Sequence, residues 1–370
     1  MRILLIDDQP ENVQSVLDEI MQKLAGSDCK VVDFGKPEAD IESHNPHIII
    51  LDLLQGTGAE RKEVGIATGT YIWGTRFCPL IYYTAAPDLV AEQSAAKHPF
   101  IKVVKKGADS EALVLQCIQE FEPHIRALDG VETEIRSAMN GALLEIAPRL
   151  FETATDETER NEMLVRSARR RVAARMDEDL LTGSAASKGL KSWECFLFPP
   201  VAKHLLMGDV IRRRNADGKV AANYGVILTP SCDLVKTATR KPKVTRVLVS
   251  CCTTGERLLQ DLNIQKWKKD DRDKLKRLLT TGYSQSCMPL PGLPGVFPAM
   301  TIDFRSLQLI DIESIGNPDA EYERVASVDN PWRELLAWAF MLSSARPGMP
   351  DRDCETWADE IIALFPTATS

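Results

Sequence analysis

The chain has 370 residues, 44% of them hydrophobic and 26% charged, which is typical of a globular protein with two or three domains. Its formal net charge of −8 argues against a protein that coats nucleic acid or an acidic membrane through bulk electrostatics. No run approaches the roughly eighteen apolar residues of a membrane span, and the opening MRILLIDD does not resemble a signal peptide. We therefore expect a cytoplasmic protein.

Four short apolar runs in the first third of the chain each lead into a polar residue. Residues 1–6 lead into Asp7 and Asp8, residues 47–51 into Asp52, residues 80–83 into Thr84, and residues 101–104 into Lys105. Such runs, separated by segments of helical period, predict βαβ units and a doubly wound parallel sheet with helices on both faces. The residues that follow the strands are then expected to converge at the carboxyl edge of the sheet.

The residue types at this edge predict phosphoryl chemistry. Three neighbouring carboxylates repel one another unless a divalent cation lies between them, and Mg²⁺ is the natural occupant. A carboxylate beside Mg²⁺ can attack a phosphoryl group, while Lys105 neutralises the incoming charge and the Thr84 hydroxyl donates to a phosphoryl oxygen. Taken singly, the aspartates could be turn formers, Thr84 could cap the next helix, and Lys105 could be a solvated lysine.

Residues 1–128 resemble a response-regulator receiver domain, the module that takes phosphate from a histidine kinase. The resemblance implies a flavodoxin-like fold, Mg²⁺ as cofactor and a sensor histidine kinase as partner. The roles it implies are the metal-binding pair Asp7 and Asp8, the phosphoacceptor and metal ligand Asp52, a metal-binding backbone carbonyl at Leu54, the switch hydroxyl Thr84, and the phosphate-contacting Lys105. Ala85 is the small residue that the family keeps beside the phosphoryl group.

The chain departs from the family pattern in two loops. Lys106 follows Lys105 where the family has a proline in a cis peptide, and a cis bond before a non-proline residue costs about 3 kcal/mol, so we expect a remodelled loop. Residues 55–63 form a long polar stretch before a helix predicted to start near Gly65, and this stretch is a predicted partner contact. The aromatic switch position of the family falls on Lys102 or Val103.

Residues 129–188 are predicted to form a helical linker, since apolar residues recur there at helical spacing. Residues 161–176 carry five arginines close to several acidic residues. These arginines indicate intramolecular ion pairs, with a nucleic-acid contact as the alternative. Residues 182–188 are small and polar and predict a flexible boundary.

Residues 189–370 predict an α+β domain. Strands are expected at residues 209–211, 224–228, 247–251 and 300–304, and the phrases MGDVIRR and YGVILTPSCDLV resemble SH3-like barrels of the toxin and growth-inhibitor type. A small β-barrel is the predicted closure. Two apolar helices near Trp338 and Trp357 are predicted to pack on it, with a dimer or kinase-docking surface as the alternative.

A polar cluster at the end of one predicted strand could carry chemistry. Thr229, Ser231, Cys232 and Asp233 could supply a nucleophile, or Cys232 could bind zinc with Cys251 or Cys252. The same residues also form an ordinary tight turn, and no histidine lies nearby in sequence. The nine cysteines show no CxxC spacing, which fits reduced thiols better than a disulfide framework.

Two functions remain open from the sequence. In the first, the protein is a response regulator whose phosphorylated Asp52 switches a partner or its own C-terminal region, with no catalysis beyond slow self-dephosphorylation. In the second, the receiver gates an enzymatic or nucleic-acid-acting barrel. The first is preferred because it needs only the visible pocket, whereas the second requires a catalytic constellation that the sequence does not show. No helix-turn-helix with a basic recognition helix follows the receiver, which argues against a transcription factor. The architecture is similar to receivers of bacterial antiphage two-component cassettes, including a phosphate-buffering type, and a second response regulator is a further expected partner. A homodimer is also expected as an alternative.

Overall fold

The computed structural model describes residues 1–34, 37–56, 62–91, 97–153, 156–182, 191–269, 271–345 and 353–365. The chain folds as two compact units, Met1–Thr182 and Gly183–Ser370. Within the described residues, no helix is both long and apolar enough to cross a membrane.

The first unit contains a parallel sheet with helices on both faces. Its strands are β1 (Arg2–Ile6), β2 (Asp28–Val32), β3 (Ile48–Leu51), β4 (Leu54–Gln55), β5 (Lys62–Glu63), β6 (Leu80–Thr84) and β7 (Ile101–Lys105). Its helices are α1 (Gln14–Lys23), α2 (Pro37–His44), α3 (Gly65–Thr75), α4 (Asp88–Ala91), α5 (Ser110–Thr153) and α6 (Glu157–Thr182). Five strands form the parallel sheet in the order β2-β1-β3-β6-β7, while β4 and β5 pair as a separate antiparallel hairpin. The flavodoxin-like doubly wound fold is thus confirmed.

The alternation of side chains along the central strands creates a core on each face of the sheet. Ile3 and Leu5 pack with residues of α1 and α5, whereas Leu4 and Ile6 pack with residues of α2 and α3. Every residue of β3 is buried, as expected for a parallel strand covered on both faces.

The last helix of the parallel sheet continues far beyond residue 128. α5 runs from Ser110 to Thr153 without a break, and α6 packs against it within the same compact unit. Arg171 of α6 pairs with Glu145 of α5, and Arg166 pairs with Glu162 one helical turn away. These two arginines therefore form the intramolecular ion pairs that the sequence indicates.

The second unit contains a seven-stranded antiparallel sheet with the order β12-β13-β11-β10-β9-β14-β8. Its strands are β8 (Phe196–Leu197), β9 (Asp209–Arg213), β10 (Tyr224–Ile227), β11 (Arg246–Thr253), β12 (Cys287–Leu290), β13 (Met300–Asp311) and β14 (Tyr322–Val328). Its helices are α7 (Ser231–Leu234), α8 (Glu256–Asp261), α9 (Asp271–Thr281), α10 (Trp332–Ser344) and α11 (Cys354–Ile362). The α+β class is confirmed. The predicted barrel is replaced by an open sheet in the described residues, although Phe196 of β8 and Met288 of β12 enter the same core.

The two C-terminal helices differ in their packing. α10 inserts Leu336 and Ala339 into the core of the second unit, as predicted. α11 buries none of its residues, so within the part of the chain that the structure describes this helix does not enter the core of the second unit as predicted. The amphipathic pattern identifies an apolar face, but it does not specify which element covers that face.

Candidate phosphoryl-acceptor site

The parallel strands of the first unit bring their following residues together at one edge of the sheet. Ile6 of β1 lies opposite Leu51 of β3, and the Asp52 amide donates to the Ile6 carbonyl at 2.9 Å. Asp7 and Asp52 therefore leave the sheet at the same level. This is the carboxyl edge, where open α/β sheets place their binding sites.

A lysine bridges the two carboxylates. The Nζ of Lys106 donates to Oδ2 of Asp7 at 2.6 Å and to Oδ2 of Asp52 at 2.8 Å. The same ammonium lies 5.3 Å from the centre of the Tyr83 ring, within the range of a cation–π contact. One side chain thus joins the ends of β1 and β3 to β6.

The pocket lysine is Lys106, and the prediction of Lys105 was wrong by one residue. Lys105 pairs with Thr84 inside the sheet and its side chain is exposed. Lys106 comes directly after β7, and its amide donates to the Thr84 carbonyl at 2.9 Å. Because successive residues of a strand point to opposite faces, the step of one residue decides which lysine enters the pocket. Gly107 follows Lys106, so the family's proline is absent in this register as well.

Burial acts in opposite directions on the two charge types in the pocket. Burial raises the pKa of the fully buried Asp7, although hydrogen bonds from Lys106 and from the Gln9 amide lower it. Burial would lower the pKa of Lys106, but hydrogen bonds to Asp52 and Asp7 outweigh that effect and raise it. Lys106 therefore stays protonated at neutral pH. The ionised form of Asp7 is disfavoured by burial, and its hydrogen bonds offset only part of that free-energy cost.

The Asp52 carboxylate is almost completely buried and fixed at both oxygens. Its Oδ1 accepts from the Leu53 amide at 2.6 Å, and its Oδ2 accepts from Lys106. The first residue of α3 packs directly on its backbone, since a Cβ at Gly65 would lie 2.1 Å from the Asp52 carbonyl oxygen. A glycine at this position is therefore required for α3 to begin beside the acceptor.

Asp8 anchors the hairpin of β4 and β5. Its Oδ2 accepts from the Gly56 amide at 2.6 Å, and Leu54 lies opposite Glu63 in the hairpin. Part of the predicted partner-contact stretch, residues 57–61, lies outside the described residues. The described part of this loop is thus tied to the acidic pair.

Thr84 is completely buried at the end of β6. Its Oγ1 accepts from the Ala86 amide at 3.2 Å, which is a turn-forming bond of the kind considered in the sequence. The adjacent Tyr83 donates to, or accepts from, the Ser110 hydroxyl at 2.8 Å, and Ser110 is the first residue of α5. The sequence reasoning did not find this contact, although Tyr83 is the last residue of the apolar run that identified β6. The aromatic switch position is not aromatic in this chain, and Val103 there is exposed.

The donor set of the pocket fits Mg²⁺ in kind. Carboxylate oxygens are the ligands that Mg²⁺ prefers, and the carboxyl edge carries three carboxylates, those of Asp7, Asp8 and Asp52. Two of them, Asp7 and Asp52, share the Lys106 ammonium, whereas Asp8 accepts from the Gly56 amide. In the described residues, no three acidic, histidine or cysteine side chains converge on one point.

The polar cluster at residues 229–233 is a turn held by side chains. The Thr229 hydroxyl accepts from the Leu248 amide at 2.7 Å, and the Ser231 hydroxyl accepts from the Met207 amide at 3.0 Å. Asp233 pairs with Lys243 at 2.7 Å. Cys232 is exposed while Cys252 is buried in the core, so the described residues do not bring them together as zinc ligands.

Comparisons with known proteins give matches among solved structures alone. No family model matches the chain, and no curated protein matches it. The signal receiver domain of a protein assigned as a Luxo repressor in Vibrio parahaemolyticus is 20% identical, with a TM-score of 0.29, over 35% of this chain and 96% of that one. The N-terminal domain of a response regulator/sensory box/GGDEF protein from Carboxydothermus hydrogenoformans is 19% identical, with a TM-score of 0.27, over 34% and 99%.

A third structure is a two component transcriptional regulator AraC from Clostridium phytofermentans, which is 18% identical with a TM-score of 0.26, over 34% of this chain and 96% of that one. Each of these three matches covers about a third of this chain and nearly the whole of the solved structure.

Proposed function

We propose that this protein is a response regulator that accepts a phosphoryl group on Asp52 from the phosphohistidine of a sensor histidine kinase. The observation that carries the proposal is the lysine bridge at the carboxyl edge of the parallel sheet. A buried aspartate at the end of the central strand shares one ammonium with a second aspartate from the neighbouring strand. This arrangement supports the proposal because a carboxylate and an ammonium lie in contact at the carboxyl edge of the sheet.

The proposed transfer balances on groups of this chain and of the kinase. A carboxylate oxygen of Asp52 attacks phosphorus, the phosphorus–nitrogen bond of phosphohistidine breaks, and its electron pair stays on the histidine nitrogen. Lys106 already contacts the Asp52 carboxylate at 2.8 Å and is placed to bind an oxygen of the transferred group. Thr84 would donate to another phosphoryl oxygen after leaving its bond with the Ala86 amide. Attack by water then restores the carboxylate.

Mg²⁺ is the cofactor that this proposal includes. The carboxylates of Asp7, Asp8 and Asp52 and the backbone carbonyl of Leu54 would hold it. The ion would supply positive charge beside the phosphoryl oxygens. The residues of the pocket supply the remaining functions, since Lys106 orients the acceptor and Gly65 lets α3 begin beside it.

Two adjacent lysines offer a matched test of the site. The full chain and its Asp52→Asn, Lys106→Ala and Lys105→Ala variants would be incubated with Mg²⁺ and acetyl phosphate, and phosphorylation would be followed by intact mass. We expect phosphorylation of the wild type and of Lys105→Ala, none of Asp52→Asn, and at least about a tenfold lower rate for Lys106→Ala. An unmodified wild type, a modified Asp52→Asn variant, or equal rates for the two lysine variants would contradict the proposal.

A fluorescence measurement reports on the same pocket without covalent chemistry. Trp73 lies in α3, the helix that begins beside Asp52, and its Nε1 donates to the Cys78 carbonyl. We expect beryllofluoride with Mg²⁺ to produce a saturable change in tryptophan fluorescence that Asp52→Asn abolishes.

Phosphate buffering in antiviral defence and a second response regulator as partner stay predictions from the architecture.

A further inference from the structure

The second unit contains an apolar cavity that the proposed phosphoryl transfer does not use. Its volume is about 530 Å³, which lies in the range of small-molecule sites. It is bounded by α8, α9, α10 and the paired strands β12 and β13. The side chains that line it include Leu258, Leu275, Leu279, Met288, Leu290 and Thr301.

One buried hydroxyl in the lining has no partner. Thr301 of β13 is completely buried, and its Oγ1 makes no hydrogen bond to any described residue. Burying a hydroxyl without a hydrogen bond costs free energy, so such groups are rare in folded proteins. By contrast, the buried Thr229 hydroxyl accepts from the Leu248 amide at 2.7 Å.

The cavity has a buried interior and an accessible rim. Met288 and Leu290 are almost completely buried, whereas Leu279 is 55% exposed. The end of α9 comes close to α10 at Gly282, where φ is +87° and a Cβ would lie 2.4 Å from Leu335. Gly282 and Leu335 both line the cavity, and Leu279 is an exposed residue of its lining.

We propose that the second unit binds a small, largely apolar molecule that carries one hydrogen-bonding oxygen, with this oxygen paired to the Thr301 hydroxyl. The apolar lining selects the body of the ligand, and the unpartnered hydroxyl selects its polar group. Because a site with an unpaired polar group discriminates against ligands that cannot satisfy it, the preference for the oxygen is the property to measure.

The test uses two probes that differ by one hydroxyl, 2-naphthol and naphthalene. Binding to the full chain would be measured by calorimetry for the wild type, Thr301→Val and Thr301→Ser. We expect saturable binding of 2-naphthol, about tenfold tighter than that of naphthalene, with the preference retained in Thr301→Ser and lost in Thr301→Val. The near-isosteric variants also make loss of folding easy to detect by thermal unfolding.

A pair of exposed leucines locates the binding at the cavity. Leu279→Glu places a charge at the rim, and Leu309→Glu makes the same change on β13 at a residue that is 61% exposed and does not line the cavity. We expect the first variant to weaken binding of both probes by at least about fivefold and the second to leave it unchanged. Absence of saturable binding, an unchanged preference in Thr301→Val, or equal effects of the two leucine variants would overturn the proposal.

Discussion

Two completely buried aspartates, one among the described residues of each unit, have different surroundings. Asp7 in the first unit and Asp209 in the second are both fully buried, and burial raises the pKa of both. Asp209 accepts from the Ser327 hydroxyl at 2.5 Å and the Leu206 amide at 2.8 Å, and Arg324 lies 3.3 Å away. Its charge is matched by one guanidinium inside an antiparallel sheet.

Asp7 shares its single cation with a second carboxylate. Lys106 contacts both Asp7 and Asp52, and it comes from the loop after β7 rather than from within a strand. A buried carboxylate alone therefore does not distinguish a functional site from a structural one. What distinguishes the site in the first unit is that two carboxylates share one ammonium, which comes from a residue outside the strands of the sheet.

The largest expected effect concerns the buried pair of Asp209 and Arg324 in the second unit, which we regard as structural. Arg324→Ala leaves Asp209 buried without its cation and should lower the free energy of unfolding by about 3 kcal/mol, measured by urea denaturation. Arg246→Ala removes an exposed pair with Asp311 in the same sheet and should cost less than about 1 kcal/mol. We expect Lys106→Ala to cost less than half of the Arg324→Ala effect. An equal cost would mean that the Lys106 bridge is structural too.

Two glycines of α3 test how closely the helix must approach the acceptor. Gly65→Ala places a Cβ against the Asp52 carbonyl and should destabilise the protein by about 2 kcal/mol. Gly74 lies in the same helix, and a Cβ added there would have no neighbouring atom within 4 Å. Gly74→Ala should therefore stabilise the protein by up to about 1 kcal/mol. Thermal unfolding of the two variants measures both. Similar effects of the two changes would contradict the close packing at Asp52.

Two buried threonines of the second unit test the value of a hydrogen bond. Thr301→Val removes a hydroxyl without a described partner and should raise the free energy of unfolding by about 1 kcal/mol. Thr229→Val removes the acceptor of the Leu248 amide and should lower it by about the same amount. Opposite signs in urea denaturation are the expected result. A loss of stability in both variants would show that the Thr301 hydroxyl is satisfied.

The smallest expected effect is on how steeply the free energy of unfolding changes with pH. Because the pKa of Asp7 is raised in the folded protein, its stabilising contribution is present below the unfolded value of 3.8 and is lost as pH rises through the folded value. The stability of Asp7→Asn should therefore fall less steeply above that pH than the stability of the wild type. Denaturation across this range would measure it.

The elements that form the acceptor site could be predicted because each depends on a local pattern. Apolar runs followed by Asp7, Asp52 and Thr84 identify both the strands and their ends, and the topology of parallel sheets brings those ends together. The pocket lysine could not be chosen, because Lys105 and Lys106 are adjacent and only the register of β7 against β6 separates them. The edge strand β2 was missed because Asp28 and Lys30 interrupt its apolar pattern.

The side-chain contacts and strand pairings within the second unit were harder to predict, for a different reason. The Arg324 and Asp209 pair joins residues far apart in sequence, and no spacing signals it. The open order of the antiparallel sheet likewise depends on long-range pairings such as β14 with β9. The local sequence pattern predicted β9, β10, β11 and part of β13 but not β8, β12 or β14, and closure of a sheet depends on long-range contacts that a local pattern does not contain.

Because α5 is a long helix, a small rotation at its first residue would produce a large displacement at its last residue. The helix begins at Ser110 and runs for 44 residues. The Ser110 hydroxyl forms a hydrogen bond with Tyr83, whose ring contacts the Lys106 ammonium. At 1.5 Å per residue its axis is about 66 Å long, so a rotation of about 5° at its base would displace its far end by about 6 Å. A small rotation at the base would therefore be a displacement of several ångströms at the far end, provided that the helix stays rigid at Pro123 and Pro148.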